Sequence, residues 1–349
     1  MTDGNISVNY NRLFDRAKEL LINTGMTEDH AALTAEAVCT ASLRGVDSHG
    51  IRLLPHYLSA IKSGRINSKA VFSFVKTAPS AGIFDADHGM AHAAMAIAMD
   101  RAMELAVETG AGFVSVKNSN HCGEMAFYGL RAAKRDMIGL ALTNTTPKLK
   151  VHNAAEPFFG TNPLCFAAPM MHEDPFCFDA SPAVMSSNKI KMYGQLGKTL
   201  PGDVATDITG MVTRNPHLVK MLLPLGGIIA GYKGFGLSMI IDVLSSLLSG
   251  MPAGKDISAM YESDGGILSE PRYLGQFVAA IRIDVFTDVQ IFKERLTEIA
   301  GKIRGLKPVP EVADDVMIPG DPEKKISAER IKKGIPLSPE LYSELFNER

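Results

Sequence analysis

The stretch Gly112-Phe113-Val114-Ser115-Val116-Lys117 reads as an apolar strand, and Asn118-Ser119-Asn120-His121-Cys122-Gly123 follows it as a polar turn. Glu124 to Arg135 then carries apolar residues at helical spacing, and Met137 to Thr143 is strand-like again, so the segment has βαβ character. In a dinucleotide-binding unit of this kind the first strand ends in G-x-G-x-x-G, whose glycines let the backbone close on a pyrophosphate at the helix N-terminus. Here it ends in two asparagines and a histidine. The order of elements is α/β, without the phosphate grip of an ordinary Rossmann fold.

Outward from this stretch, Ala91 to Glu108 predicts an amphipathic helix rich in Ala and Met and closed by Gly110. The first seventy residues predict helices over Asn9–Asn23, over Glu28–Leu43 behind the N-cap Thr27, and over Leu53–Ser63 before Gly64. From Val71 the pattern turns β-rich. Downstream come short strands at Leu164–Ala168 and Phe176–Phe178, and an irregular Pro/Gly-rich stretch from Pro201 to Pro216. Phe235–Leu248 predicts a buried helix, Gln276–Ile283 a strand, Val289–Ile303 a solvent-edged helix, and the tail from Ile326 a charged helix.

The chain has 349 residues, 46% hydrophobic and 21% charged, which suits a well-packed protein of two or three subdomains. A net charge of −2, with the basic residues scattered, offers no footprint for nucleic acid or an anionic membrane surface. Cys39, Cys122, Cys165 and Cys177 show neither metal spacing nor a paired framework, and the reading is a reducing, cytoplasmic setting. The start, Met1-Thr2-Asp3-Gly4-Asn5, is polar and reads as no signal peptide, and the longest apolar run, Leu237–Leu248, is broken by Ser and Asp.

Two histidines sit at glycine-flanked turns, in Asp47-Ser48-His49-Gly50 and Asn120-His121-Cys122-Gly123. An imidazole gives and takes a proton near neutral pH, and a glycine beside it lets another backbone or a ligand come close. His49 reads as an acid–base group aided by Ser48, or as a helix-joint histidine bonded to a carbonyl. His121, flanked by Asn118 and Asn120, reads equally as a site residue or a structural one. His88 and His92, with Asp85 and Asp87 nearby, have a metal-ligand spacing, but nothing completes a set and no metal is expected. Gly231-Tyr232-Lys233-Gly234-Phe235-Gly236 opens a helix, where free N–H groups and Lys233 suit an anion; a glycine-rich helix start packed on a neighbour is the alternative. Asp179 reads as a histidine-orienting carboxylate or an ordinary strand end.

Taken in order, these segments resemble the malate/L-lactate dehydrogenase family of the non-Rossmann type. Its members include ureidoglycolate dehydrogenase, diketogulonate reductase, sulfolactate dehydrogenase and cyclic ketimine reductases. The matching residues are Arg44 to Gly50, Pro55-His56-Tyr57, Ser119 to Gly123 and Gly160 to Leu164. Phe178-Asp179, Lys189, Leu223 to Gly227, Gly231 to Gly236 and Ile318 to Gly320 complete the run.

The resemblance implies a helical domain built from both termini (1–70 and 305–349) and a nicotinamide-binding domain on a largely antiparallel sheet (71–120 and 171–304). A small inserted subdomain is expected at 121–170. It also implies a homodimer, NAD or NADP as cofactor, and a small carboxylate substrate. His49 is then the proton donor or acceptor, with Ser48 and Asp179 as partners, and His121 lies near the nicotinamide as an alternative acid–base group. Arg52, Tyr57, Asn120 and Thr161 fall at substrate positions. His121, Thr145, Asp179, Ala180, Ser181, Lys233, Gly234, Pro319 and Gly320 fall at cofactor positions.

The chain departs from its relatives at Leu53, where many carry a carboxylate-binding arginine. Arg52 is one place earlier, a turn of about 100° on a helix, so His56 or a backbone site is a candidate replacement. Ala180-Ser181-Pro182 likewise replaces the family's usual Ala-Thr-Ser. The reading is an NAD(P)-dependent 2-hydroxy-acid dehydrogenase. A cyclic ketimine reductase and a catalytically inert binding protein are the alternatives.

Overall fold

The computed structural model describes residues 4–310 and 315–347, so Met1-Thr2-Asp3 of the polar start lie outside it. The chain begins with β1 (Ile6–Val8), α1 (Tyr10–Ile22) and α2 (Glu28–Leu43). The α2 helix starts where Thr27 accepts a hydrogen bond from the His30 N–H, the cap its sequence calls for. Two single 3-10 turns, Asp47–His49 and Ile51–Leu53, lead into α3 (Leu54–Lys62). Then follow β2 (Ser73–Ala78), β3 (Ala81–Asp85), α4 (Ala91–Thr109), β4 (Ala111–Ser119), α5 (Ala126–Ala133) and β5 (Met137–Thr143). The middle holds β6 (Leu149–Lys150), β7 (Pro157–Phe159), β8 (Leu164–Ala168), β9 (Phe176–Ala180), α6 (Ser187–Gln195), β10 (Ala205–Thr206) and β11 (Met221–Leu222). The last part holds α7 (Gly227–Ala230), α8 (Tyr232–Asp242), β12 (Leu274–Arg282), α9 (Val289–Arg304), α10 (Asp321–Lys333), β13 (Ile335–Leu337) and α11 (Pro339–Phe346).

A seven-stranded sheet of order β2-β3-β4-β12-β5-β8-β9 forms the centre, and only its β3–β4 pair is parallel. The βαβ appearance of 112–143 has a specific cause. β4 and β5 do run the same way, but β12 lies between them, antiparallel to both. No adjacent parallel pair exists there to present a switch-point crevice.

The α4 helix is not amphipathic over its first turns, as its sequence suggests, but buried all round from Ala91 to Ala96. Alanines allow this: the sheet and α5 cover one side and α2 the other, and a helix apolar on every face belongs in a core. A Cβ at Gly112 of β4 would lie 1.9 Å from the Ala102 carbonyl oxygen, so glycine permits this close helix–sheet approach.

β1 pairs antiparallel with β13, and one apolar cluster joins Val8, Leu13 and Leu21 to Leu54, Tyr57, Ile335 and Leu345. Both ends of the chain therefore share one core. A small sheet of order β10-β11-β6-β7 takes its strands from 149–159 and 205–222. β5 and β8 belong to the large sheet, so the span 121–170 expected for an inserted unit is divided between the two. Strands of two or three residues carry no alternation that a sequence reader can use. Among the described residues no helix is long and apolar enough to cross a membrane.

Candidate active site

The joint between α2 and α3 is held from two sides, by Arg330 and by Ser42. Asp47 accepts two hydrogen bonds from Arg330 of α10, at 2.6 and 2.8 Å. The Ile51 N–H donates to Ser42 Oγ at 2.9 Å. A Cβ at Gly50 would stand 2.2 Å from that oxygen, so the glycine after His49 is required by close packing. The joint presents Ser48 and His49 together, with Ser48 Oγ 2.8 Å from His49 Nδ1.

The second turn follows β4. Gly123 there has φ of +70°, and a Cβ on it would meet His92 Nε2 at 2.7 Å. The Tyr57 hydroxyl lies 2.7 Å from His121 Nδ1, and the Gly123 N–H donates to the same nitrogen at 3.4 Å. A backbone N–H can only donate, so His121 Nδ1 is an acceptor and the neutral ring carries its proton on Nε2. The His49 and His121 rings are nearly parallel, with centroids 5.8 Å apart. Burial lowers the pKa of His49, and burial together with the His49, His92 and Arg272 charges holds His121 well below its ordinary value. His92, behind them, is pushed down to about 3 by burial and then by His49.

The cleft around these turns has two lobes that share Ser48, His49 and Thr161. The larger, of about 670 Å³, is lined by Asp179, Ala180, Ser181, Pro319 and Gly320. The smaller, of about 200 Å³, is lined by His121, Arg52, Leu53 and Thr145. Most of the residues singled out in the sequence thus converge on one cleft.

Several take other places. Tyr57 and Asn120 are both 1% exposed and stand behind the lining; Asn120 Nδ2 donates to the carbonyls of His88 and Gly89. Asp179 does not reach the Ser48–His49 pair: its Oδ2 accepts from the Ala126 N–H at 2.7 Å, at the start of α5, and burial raises its pKa to about 6. Lys233 and Gly234 lie outside both lobes. A Cβ at Gly234 would sit 2.3 Å from Leu225 N, so this glycine serves close packing of the helix start, whereas Gly236 has no neighbour within 4 Å. Two of the helix's first N–H groups have backbone partners, Gly234 donating to Leu225 and Phe235 to Gly231. His88 precedes α4 and so shares no helical face with His92. Among the described residues no three metal-ligating side chains converge.

Sequence reading missed three groups. In the large lobe, Arg44 Nε and Glu124 Oε1 are 3.4 Å apart but not aligned for a hydrogen bond, and both Glu124 oxygens are buried without a partner. Burial pushes the Glu124 carboxyl up to about 8. In the small lobe stands Arg272, a buried guanidinium just before β12. Arg272-Tyr273 carries no local pattern, so only the fold reveals it.

The malate/L-lactate dehydrogenase family profile matches residues 8–346. Malate dehydrogenase from Pyrococcus abyssi is 33% identical over 353 residues, covering 98% of this chain and 95% of the relative. Ureidoglycolate dehydrogenase (NAD(+)) from Escherichia coli K12 is 30% identical over 328 residues, covering 94% of this chain and 91% of that one. Among solved structures, malate dehydrogenase from Entamoeba histolytica superposes with a TM-score of 0.90 at 28% identity, over 98% of this chain and 96% of that one. Delta1-piperideine-2-carboxylate reductase from Pseudomonas syringae pvar. tomato does so with a TM-score of 0.85 at 26% identity, over 97% and 98%.

Proposed function

The chain belongs to the malate/L-lactate dehydrogenase family and is an oxidoreductase acting on CH–OH groups, and from that premise we propose a 2-hydroxy-acid dehydrogenase that uses NAD or NADP. The observation that carries the proposal is the joining of both histidine turns to one two-lobed cleft.

The large lobe fits a nicotinamide nucleotide. Its orphaned buried atoms, the protonated Glu124 carboxyl and Arg44 Nε, offer an acceptor and donors for hydroxyl and amide groups, and Ser181 adds a hydroxyl. Thr145 and His121 reach the same cleft from the small lobe. The cofactor, when bound, supplies the hydride acceptor or donor.

The chain's own residues handle the proton and the substrate oxygen. With Nδ1–H of His49 donating to Ser48, its Nε2 is free to take the proton of a substrate hydroxyl. The lowered pKa keeps that ring in its basic, neutral form at pH 7. His121 has the complementary tautomer, and its Nε2–H donates to the oxygen of the carbonyl that forms. Thr161, at the junction of the lobes, offers a hydroxyl to the substrate. Asp179 acts at one remove, pinning the start of α5 beside Gly123 and Glu124.

The apolar outer faces of α7 and α8 support a homodimer. Ile229 of α7 is 93% exposed, and Ile240 of α8 is exposed as well. This also corrects the expectation of a buried helix at 235–248: one side packs inward, and the other is apolar without a partner within the chain.

Absorbance of NADH and NADPH, followed with a panel of 2-keto acids and cyclic imines, tests the reading. Turnover of keto acids is expected. Turnover of imines alone would favour the ketimine reductase alternative, which the likeness to the piperideine-carboxylate reductase supports. No turnover and no cofactor binding would leave a binding protein.

A further inference from the structure

Arg272 is 4% exposed yet lines the small lobe beside His121. Its Nη2 donates to Thr146 Oγ1 and to the Ser258 carbonyl, both at 2.8 Å. Among the described residues Nε has no partner, Nη1 makes no hydrogen bond, and the guanidinium forms no ion pair. A buried charge without a counter-ion is costly, and buried charges in folded proteins are as a rule paired.

The neighbours deepen the deficit. Arg65, itself 2% exposed, is satisfied by the carbonyls of Met260, Ile267 and Glu270 rather than by a carboxylate, and its charge adds to that at Arg272. Arg52, Lys148 and Lys191 also line the lobe, against Asp264, which lies 3.4 Å from Lys148. The position is held deliberately. β12 carries a register shift between Leu274 and Gln276, and a Cβ at Gly275 would lie 2.0 Å from the Ser245 carbonyl oxygen. A bulge of this kind re-aims the residues beside it.

We propose that Arg272 binds the carboxylate of the substrate through Nη1, its one nitrogen that neither makes a hydrogen bond nor is closed off, while Thr146 and Ser258 hold Nη2. This rests on the dehydrogenase reading, and it accounts for the arginine that Leu53 replaces. The carboxylate is anchored from the β12 side of the lobe instead of the α3 side, with the carbon to be oxidised turned toward His49 and His121. The substrate class is then a compact acid whose carboxylate adjoins the reacting carbon.

Oxamate, an unreactive carboxylate, is titrated by calorimetry into the full chain with and without saturating NADH, for the wild type, Arg272→Gln and Arg272→Lys. Keto-acid kinetics are run beside the methyl ester of the same acid. Arg272→Gln is expected to raise the oxamate Kd and the keto-acid KM on the order of 100-fold. Cofactor Kd and the ester's KM should move less than about threefold by the same affinity arithmetic. Arg272→Lys should recover only part of the loss, since an ammonium cannot bond Thr146 and Ser258 and still reach the carboxylate as the planar guanidinium does. Equal losses for acid and ester, or no oxamate binding to the wild type, overturn the proposal. Should Arg272→Gln fail to fold, Thr146→Val, which frees Nη2, is expected to weaken oxamate several-fold, and an unchanged Kd overturns the proposal. Arg272-dependent oxamate binding without keto-acid turnover would remove the dehydrogenase reading and leave the carboxylate site standing. Keto-acid turnover indifferent to Arg272 would do the reverse.

Discussion

The Tyr57 hydroxyl, buried in the helical core, lies 2.7 Å from His121 Nδ1 and joins the Gly123 N–H in holding that nitrogen as an acceptor, leaving Nε2–H as the ring's donor. Tyr57→Phe keeps the ring's packing and removes one hydrogen bond, worth about 1 kcal/mol. Turnover is expected to fall about tenfold, the factor that 1.4 kcal/mol represents, with an unchanged circular dichroism spectrum. His121 should also titrate at higher pH by NMR, because its freed Nδ1 accepts a proton more readily. An unmoved titration would show that the Gly123 N–H alone sets the tautomer.

His49→Ala tests the proton transfer directly. Removing a general base costs on the order of 100- to 10,000-fold in rate, and that loss is expected in kcat. Cofactor affinity, measured by quenching of protein or nicotinamide fluorescence, should stay within a few-fold. Ser48→Ala should cost less, since the ring survives without its orienting hydroxyl. Near-normal turnover of His49→Ala would assign the acid–base role to His121 or to water.

What was legible in the sequence divides along physical lines. Helices with caps and apolar periodicity, such as Glu28–Leu43, and strands of five residues or more, such as Met137–Thr143, appear close to their expected bounds. The His49 and His121 turns could be singled out because glycine marks a close approach, and both glycines do meet a neighbour. Hidden were relationships made only in three dimensions. β12 slots between β4 and β5 from more than 130 residues away. Arg272 is remote in sequence from both histidines, and Glu124 loses its solvent only when α5 packs. The Lys233 motif stays open between its two readings, since glycines that admit a phosphate and glycines that admit a backbone look alike in a string.

Glu124 makes stability depend on pH with a definite sign. Its carboxyl titrates near 8 in the fold, raised first by burial, against an ordinary value of 4.5. Between those values the folded state holds a proton that the unfolded chain has lost, so stability falls as pH rises. The contribution is full below about pH 4.5 and lost as pH passes through about 8. Glu124→Gln stays neutral throughout. Its Tm should match the wild type's near pH 5 and exceed it at pH 9, by a few degrees for each ~1 kcal/mol. Parallel Tm curves across this range would mean that Arg44 fully compensates the ionised carboxylate.

In the proposed homodimer the exposed apolar residues of α7 and α8 would link assembly to the cleft. Outward, the two helices expose Ile229 and Ile240. Inward, the Ser238 carbonyl accepts from Asn162 Nδ2 at 3.1 Å, and Asn162 Oδ1 accepts from the Thr145 N–H at 3.0 Å. A partner subunit covering the outer face would therefore brace the segment that carries Thr145 and Thr161. Ile229→Glu places a charge at the centre of that face, where dimerisation would have to desolvate it. The variant is expected to sediment as a monomer and to lose activity at least several-fold while keeping its circular dichroism spectrum. Ile299→Glu, on the exposed side of α9, should change neither property. A wild type that sediments as a monomer, or an Ile229→Glu variant that stays dimeric, would place the dimer contact elsewhere or remove it.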